Sequence, residues 1–154
     1  MNEENPYFLI PIIIIGFPLA FAAIWSLVSF ILSVVSGWRR LAKQYRCQQQ
    51  PAGETLGHYW MMMGVVSYRG VATLQARPEG LYLSMMVLFR LGHPALLIPW
   101  SDIKQRGTAQ QGLLNWTTLE LGTPKVTTLR LPSSETVIAT LGQFLSTPSG
   151  KGFQ

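Results

Sequence analysis

The sequence predicts one membrane-spanning helix followed by a small, mainly-β barrel of about seven strands and a closing C-terminal helix. Three observations carry this. Residues 5–38 contain no Asp, Glu, Lys, Arg or His. From about residue 58, short apolar runs alternate with Gly- and Pro-containing turn clusters. Near residue 132 the apolar period changes from that of a strand to that of a helix. The composition agrees: of 154 residues, 48% are hydrophobic and only 12% charged, where an ordinary soluble domain has about 25% charged. The length suits about one domain.

The stretch Phe8–Val35 is 28 residues long, and about 20 suffice to cross a ~30 Å hydrocarbon core. A cleaved signal peptide needs a basic start and a short apolar run; here the first residues are acidic and the run is long, so the segment reads as an uncleaved anchor. Arg39, Arg40, Lys43 and Arg46 follow it and no Lys or Arg precedes it. This places the C-terminal part in the cytoplasm and residues 1–6 outside, at a cytoplasmic membrane. Tyr7 and Trp38 stand at its two ends, where amphipathic rings favour the water–lipid boundary. The anchor is assigned to residues 7–38. As a straight helix its apolar run would measure about 42 Å, so the main span is set at about 17–38. Residues 7–16 become a kinked or interfacial extension at Pro11 and Pro18.

Ala22, Ser26, Ser29, Ser33 and Ser36 recur at spacings of four and three and share one helix face. Small residues allow close helix packing, so this stripe is a candidate surface for another membrane protein or a second copy. The alternative is that each serine bonds back to its own helix. Residues 39–57 form a basic juxtamembrane helix and a linker. Residues 58–146 form the β domain with its helix, and 147–154 a flexible tail.

Within the β domain, strands are expected at Tyr59–Ser67, Val71–Ala76, Leu81–Leu88, Ala95–Ile98, Ile103–Thr108, Leu113–Leu121 and Val126–Leu131. The first turn is placed at Tyr68-Arg69-Gly70. Trp60, Met61, Met62 and Met63 make the first strand apolar on both faces, a candidate partner surface. Pro132-Ser133-Ser134-Glu135 is a helix start, and Val137, Ile138, Leu141, Phe144 and Leu145 give the following helix its apolar face.

The residues Gly80-Leu81-Tyr82-Leu83-Ser84, Phe89 and Leu97-Ile98-Pro99-Trp100-Ser101-Asp102-Ile103 resemble bacterial pleckstrin-homology-like (PH-like) and GRAM-like domains over about residues 55–146. The resemblance implies a PH-like barrel with ligand loops after the first, third and sixth strands. That would put Arg69, Arg90, His93 and Lys125 at a possible headgroup site, although the basic run of phosphoinositide binders is missing from the first hairpin.

No nucleophile–base pair, phosphate loop or metal-binding motif occurs, and one cysteine and two histidines leave little material for a metal site. The chain therefore reads as non-enzymatic, without catalytic or metal-ligating residues, cofactor, nucleic-acid partner or identified small-molecule substrate. Its expected role is that of an accessory or scaffold subunit in the lipid bilayer, binding another membrane protein. The second reading is a module that contacts anionic lipid headgroups.

Overall fold

A computed structural model describes residue 7 and residues 9–48 and 57–145. The outer N-terminus 1–6, most of the 48–56 linker and the tail 147–154 lie outside the described residues. Helix α1, Leu9–Val35, is long and apolar enough to cross a membrane, with a mean hydropathy of 2.3 over its most apolar window. It runs without a break through Pro18. A sharp corner at Ser36-Gly37 leads into α2, Trp38–Tyr45.

The β domain comprises β1 (Gly57–Met63), β2 (Val66–Arg77), β3 (Gly80–Met85), β4 (Leu96–Ile98), β5 (Ile103–Gln111), β6 (Leu114–Leu121) and β7 (Thr127–Pro132), followed by helix α3 (Glu135–Leu145). Among the described residues these strands form one seven-stranded antiparallel sheet in the order β4-β3-β2-β1-β7-β6-β5. The edge strands β4 and β5 are not paired with each other, so the sheet is open rather than a hydrogen-bonded barrel. It is nevertheless rolled. Flat, its edges would stand about 29 Å apart, yet Ile98 and Ile103 are joined by a connection that reaches at most about 18 Å. That connection contains a 3-10 turn, Trp100–Asp102. The rolled sheet encloses one core that includes Met61, Met63, Leu74, Leu83, Ile98, Leu119 and Leu129.

Helix α3 is capped by Ser134, whose Oγ accepts from the Val137 amide at 3.3 Å. Val137 and Leu141 are buried, and Phe144 stacks on Trp100 at 4.9 Å beside the open edge. Ile138 differs from expectation: it is 50% exposed, because it lies at the rim of the helix's apolar arc. At β4, Arg46 bridges Leu96 and the Cys47 amide donates to the Ala95 carbonyl at 2.8 Å. The chain leaving α2 thus covers part of an edge that would otherwise invite pairing. Tyr45 adds a tie by donating to Asp102 Oδ2 at 2.8 Å.

Several strand boundaries depart from the sequence reading; β5, for one, runs on to Gln111, past the expected Thr108. The first turn is at Gly64-Val65, and β2 continues through Tyr68-Arg69-Gly70. Gly70, at φ +67°, lies in a bulge where the register shifts opposite the Tyr59–Met61 stretch. The third strand stops at Met85, and the apolar run beyond it turns into a 3-10 segment, Val87–Phe89.

Candidate membrane-interface site

The corner between α1 and α2 is driven into the domain. Trp38 and Leu41 are fully buried in the domain core. The Trp38 indole donates to the Pro94 carbonyl at 2.8 Å, and its ring meets Tyr68 and His93 edge-on at 6.3 and 5.3 Å. The Ser36 carbonyl accepts from Thr127 Oγ1 at 2.9 Å. A Cβ on Gly64 would lie 3.3 Å from the same carbonyl. The corner therefore fills the space between the β1–β2 turn, the β3–β4 loop and the start of β7. Trp38 is accordingly corrected from a lipid-boundary residue to a core residue. Its spacing after the apolar run is the same in both cases, and only the returning strands decide which way the ring faces.

His93 is likewise internal. It is fully buried, with Nδ1 3.0 Å from the Phe89 carbonyl and Nε2 2.9 Å from the Tyr68 hydroxyl. A carbonyl only accepts, so Nδ1 carries the proton and Nε2 accepts from Tyr68. Burial pushes the imidazole below its ordinary pKa, against the pull of the backbone carbonyls. An unfolded histidine takes up a proton near pH ~6.5, whereas folded His93 resists it. Its contribution to stability is present above that pH and declines as the pH falls through it. Thermal unfolding of the full chain between pH 7.5 and 5 is expected to show this decline, and His93→Gln to flatten it while lowering stability at pH 7.5. Equal slopes for the two proteins would contradict the assignment.

The other residues of the expected headgroup set are drawn apart. Arg69 lies on the outer face, its guanidinium 4.8 Å above the Trp60 ring. Lys125 pairs with Glu120 at 2.6 Å, as does Arg106 at 2.9 Å. Hydrogen bonds from Lys125 and then Arg106 hold the Glu120 carboxyl below its ordinary pKa. Arg90 instead joins the cations of α2 and its cap. A groove of about 510 Å³ is lined by Arg39, Lys43, Arg46 and Arg90, with Phe30, Gly92 and Pro94 among the residues between them, and none of the described residues lining it is acidic. Arg39 sits 4.5 Å above the Phe30 ring. A second groove of about 470 Å³ shares Arg46 and Arg90. Arg39, Lys43 and Arg46 follow one another at spacings of four and three, one face of α2 and its cap, and that spacing is the signal that points to the groove. Arg40 is exposed but does not line it.

The small-residue stripe is met by the chain itself. Ser29, Ser33 and Ser36 are buried without any second molecule. Ser26 donates to the Ala22 carbonyl at 2.7 Å, Ser33 to Phe30 at 2.7 Å and Ser36 to Ser33 at 3.4 Å, all within α1 and its corner. Gly92, in the β3–β4 loop, approaches Ser33 and Phe30. One turn pair further along the helix, the Trp25 indole donates to the Leu88 carbonyl at 3.0 Å and its ring lies 5.1 Å from Phe89.

The double-sided apolar character of β1 also resolves. Met61 and Met63 are core residues, while Trp60 and Met62 point outward and are partly exposed. Trp60 is engaged on the outer face by Trp116 at 5.0 Å and by the Ser67 hydroxyl at 2.8 Å. Tyr7, by contrast, is 70% exposed. Comparison with family models, with curated proteins and with solved structures gives no match.

Proposed function

We propose that the chain is a non-enzymatic, membrane-anchored module in which α1 crosses the cytoplasmic membrane with its N-terminus outside. A PH-like domain is held at the inner face, where Arg39, Lys43, Arg46 and Arg90 contact anionic phospholipid headgroups. The observation that carries this is the convergence of four cations, from α2 with its cap and from the β3–β4 loop, on one groove at the end of an apolar helix. The burial of Ser29, Ser33, Ser36 and Trp38 in the chain supports a retained anchor, because cleavage of a leader would strip the domain of part of its core. The strand order and the C-terminal helix support the PH-like reading. In that reading the corner occupies the loop mouth and the headgroup site is displaced to its flank. Binding of another membrane protein through the serine stripe is the weaker reading, since three of its serines are already covered.

Each Lys or Arg near an anionic surface contributes about 1 kcal/mol. Removing two charges with Arg39→Gln and Arg90→Gln is therefore expected to lower the affinity of the full chain for phosphatidylglycerol by roughly 30-fold. The measurement is lipid retention in mixed phosphatidylcholine–phosphatidylglycerol nanodiscs. The control is Arg69→Gln with Arg130→Gln, two cations of the sheet's outer face. The difference should shrink as salt rises, because exposed charges are screened over about 8 Å at physiological ionic strength. Equal retention by the two double variants would reject the groove as the headgroup site. For orientation, an impermeant thiol reagent applied to intact cells should fail to label Leu113→Cys in a Cys47→Ser background. Efficient labelling would place the domain outside.

A further inference from the structure

We propose that the β3–β4 segment Met86–Leu91 is a second membrane-inserted element, with Val87, Leu88 and Leu91 lying among the acyl chains beside α1. The proposal rests on the reading that α1 crosses a bilayer.

The first observation is exposure. Val87, Leu88 and Leu91 are 74, 65 and 61% exposed, and Met86 is 45% exposed. Met86, Val87 and Leu88 are consecutive and Leu91 follows three positions on in the same short loop, unlike singly scattered surface apolar groups.

The second is position. Trp25 bonds Leu88, and its ring meets Phe89 at a tilt of 53°. Phe21, Ala22, Trp25 and Ser26 line one apolar groove with Val87, Leu88 and Leu91. Trp25 precedes the end of α1 by ten residues, about 15 Å along the helix axis. The loop is therefore flush with the side of an apolar helix well below its charged end, and its outer surface continues the helix's exposed apolar surface.

The third is the backbone. In lipid no water is available, so polar groups must find partners within the protein. Five consecutive carbonyls do so. Met86 accepts from the Phe89 amide at 2.9 Å, Val87 from Arg90 at 3.2 Å and Arg90 from His93 at 3.1 Å. Leu88 accepts from the Trp25 indole at 3.0 Å and Phe89 from His93 Nδ1 at 3.0 Å. Within the same loop Arg90 turns to the basic groove, as a long cationic side chain does when its stem lies at an interface.

Insertion at this level also places the span. The 20 residues from Leu9 to Val28 supply about 30 Å, so the bilayer shifts toward the N-terminus from the expected 17–38. Residues 9–16 then lie within it, and Ser29–Ser36 belong to the domain.

The test uses the full chain with Cys47→Ser, reconstituted in phosphatidylcholine–phosphatidylglycerol vesicles. A nitroxide is attached in turn to Leu88→Cys, Leu91→Cys, Ile15→Cys and Leu113→Cys. The ratio of collision with oxygen to collision with a water-soluble nickel chelate is measured at each. Positions 88, 91 and 15 are expected to give ratios several-fold above position 113, which is fully exposed at the β5–β6 hairpin tip. Water-like ratios at 88 and 91 with a lipid-like ratio at 15 would overturn the inserted loop and leave the anchor intact. A water-like ratio at 15 as well would overturn the bilayer span over residues 9–28 and the loop with it. Shielding of 88 and 91 from both reagents would mean that protein covers the loop, which also overturns the proposal.

Discussion

Replacing Trp38 by alanine is expected to destabilise the domain by about 3–5 kcal/mol, a large part of the 5–15 kcal/mol that holds a typical domain folded. Trp38 is fully buried, contacts the Tyr68 and His93 rings, and satisfies the Pro94 carbonyl. Truncation removes the ring's contacts, opens a cavity at the corner, and leaves a carbonyl without its donor. Trp38→Phe retains most of the packing and loses the donor, so its expected cost is lower, about 1–3 kcal/mol. A tryptophan resting at the lipid boundary would give a different pattern, in which both substitutions alter membrane depth and neither unfolds the domain. Thermal unfolding of the full chain in detergent, compared with Tyr7→Ala at the exposed end, separates the two. A Trp38→Ala variant as stable as Tyr7→Ala would contradict the buried corner.

The strands were legible wherever local chemistry governs the turn. Pro78-Glu79 and Gly122-Thr123-Pro124-Lys125 turn where their residue types indicate. Ser134 caps α3 as its position before Glu135 suggests. The first hairpin was not legible, because two glycines compete for its turn. Gly64 and Gly70 both have positive φ; the closed turn takes the first, and the bulge in β2 takes the second. Nothing within Tyr68-Arg69-Gly70 distinguishes a turn from a bulge, since the register across the sheet decides it. The third strand ends short of its apolar run for a similar reason. Met85-Met86-Val87-Leu88-Phe89 is an apolar run that suits a strand, and contact with Trp25, distant in sequence, and with the nearby buried His93 accompanies its turn into a 3-10 segment.

The candidate site divides along the same line. The serine stripe and the basic face of α2 follow from helical period alone, so their residues could be named from spacing. What meets them could not. Ser33 is approached by Gly92, and Arg39, Lys43 and Arg46 share their groove with Arg90; these pairings depend on how the chain returns to α1 after three strands. His93 shows the converse limit. Between glycine and proline it has the local sequence of a solvent-exposed turn, yet tertiary burial makes it a link between Tyr68 and the Phe89 carbonyl.

Gly92→Ala is expected to loosen the domain from α1 through two separable costs. Gly92 has φ +91°, and a left-handed backbone costs an L-residue roughly 1–2 kcal/mol. Its Cβ would also stand 3.0 Å from Ser33 Oγ and 3.3 Å from the Phe30 Cα, tighter than ordinary contact. Gly70→Ala provides the first cost alone, because Gly70 has φ +67° and open space around the Cβ position. Gly92→Ala should therefore exceed Gly70→Ala, the excess reporting the squeeze between loop and helix. Ser33→Ala in the Gly92→Ala background removes the closest obstructing atom, leaving the Phe30 backbone in place. Residues in direct contact couple in such cycles by about 0.5–3 kcal/mol, and relief of a clash makes the double variant more stable than the sum of the single changes predicts. Thermal unfolding of the four proteins in one detergent measures the coupling. If the changes are strictly additive, and Gly92→Ala matches Gly70→Ala, the loop does not press against α1 at Ser33. The joint that sets the domain against α1 must then lie elsewhere.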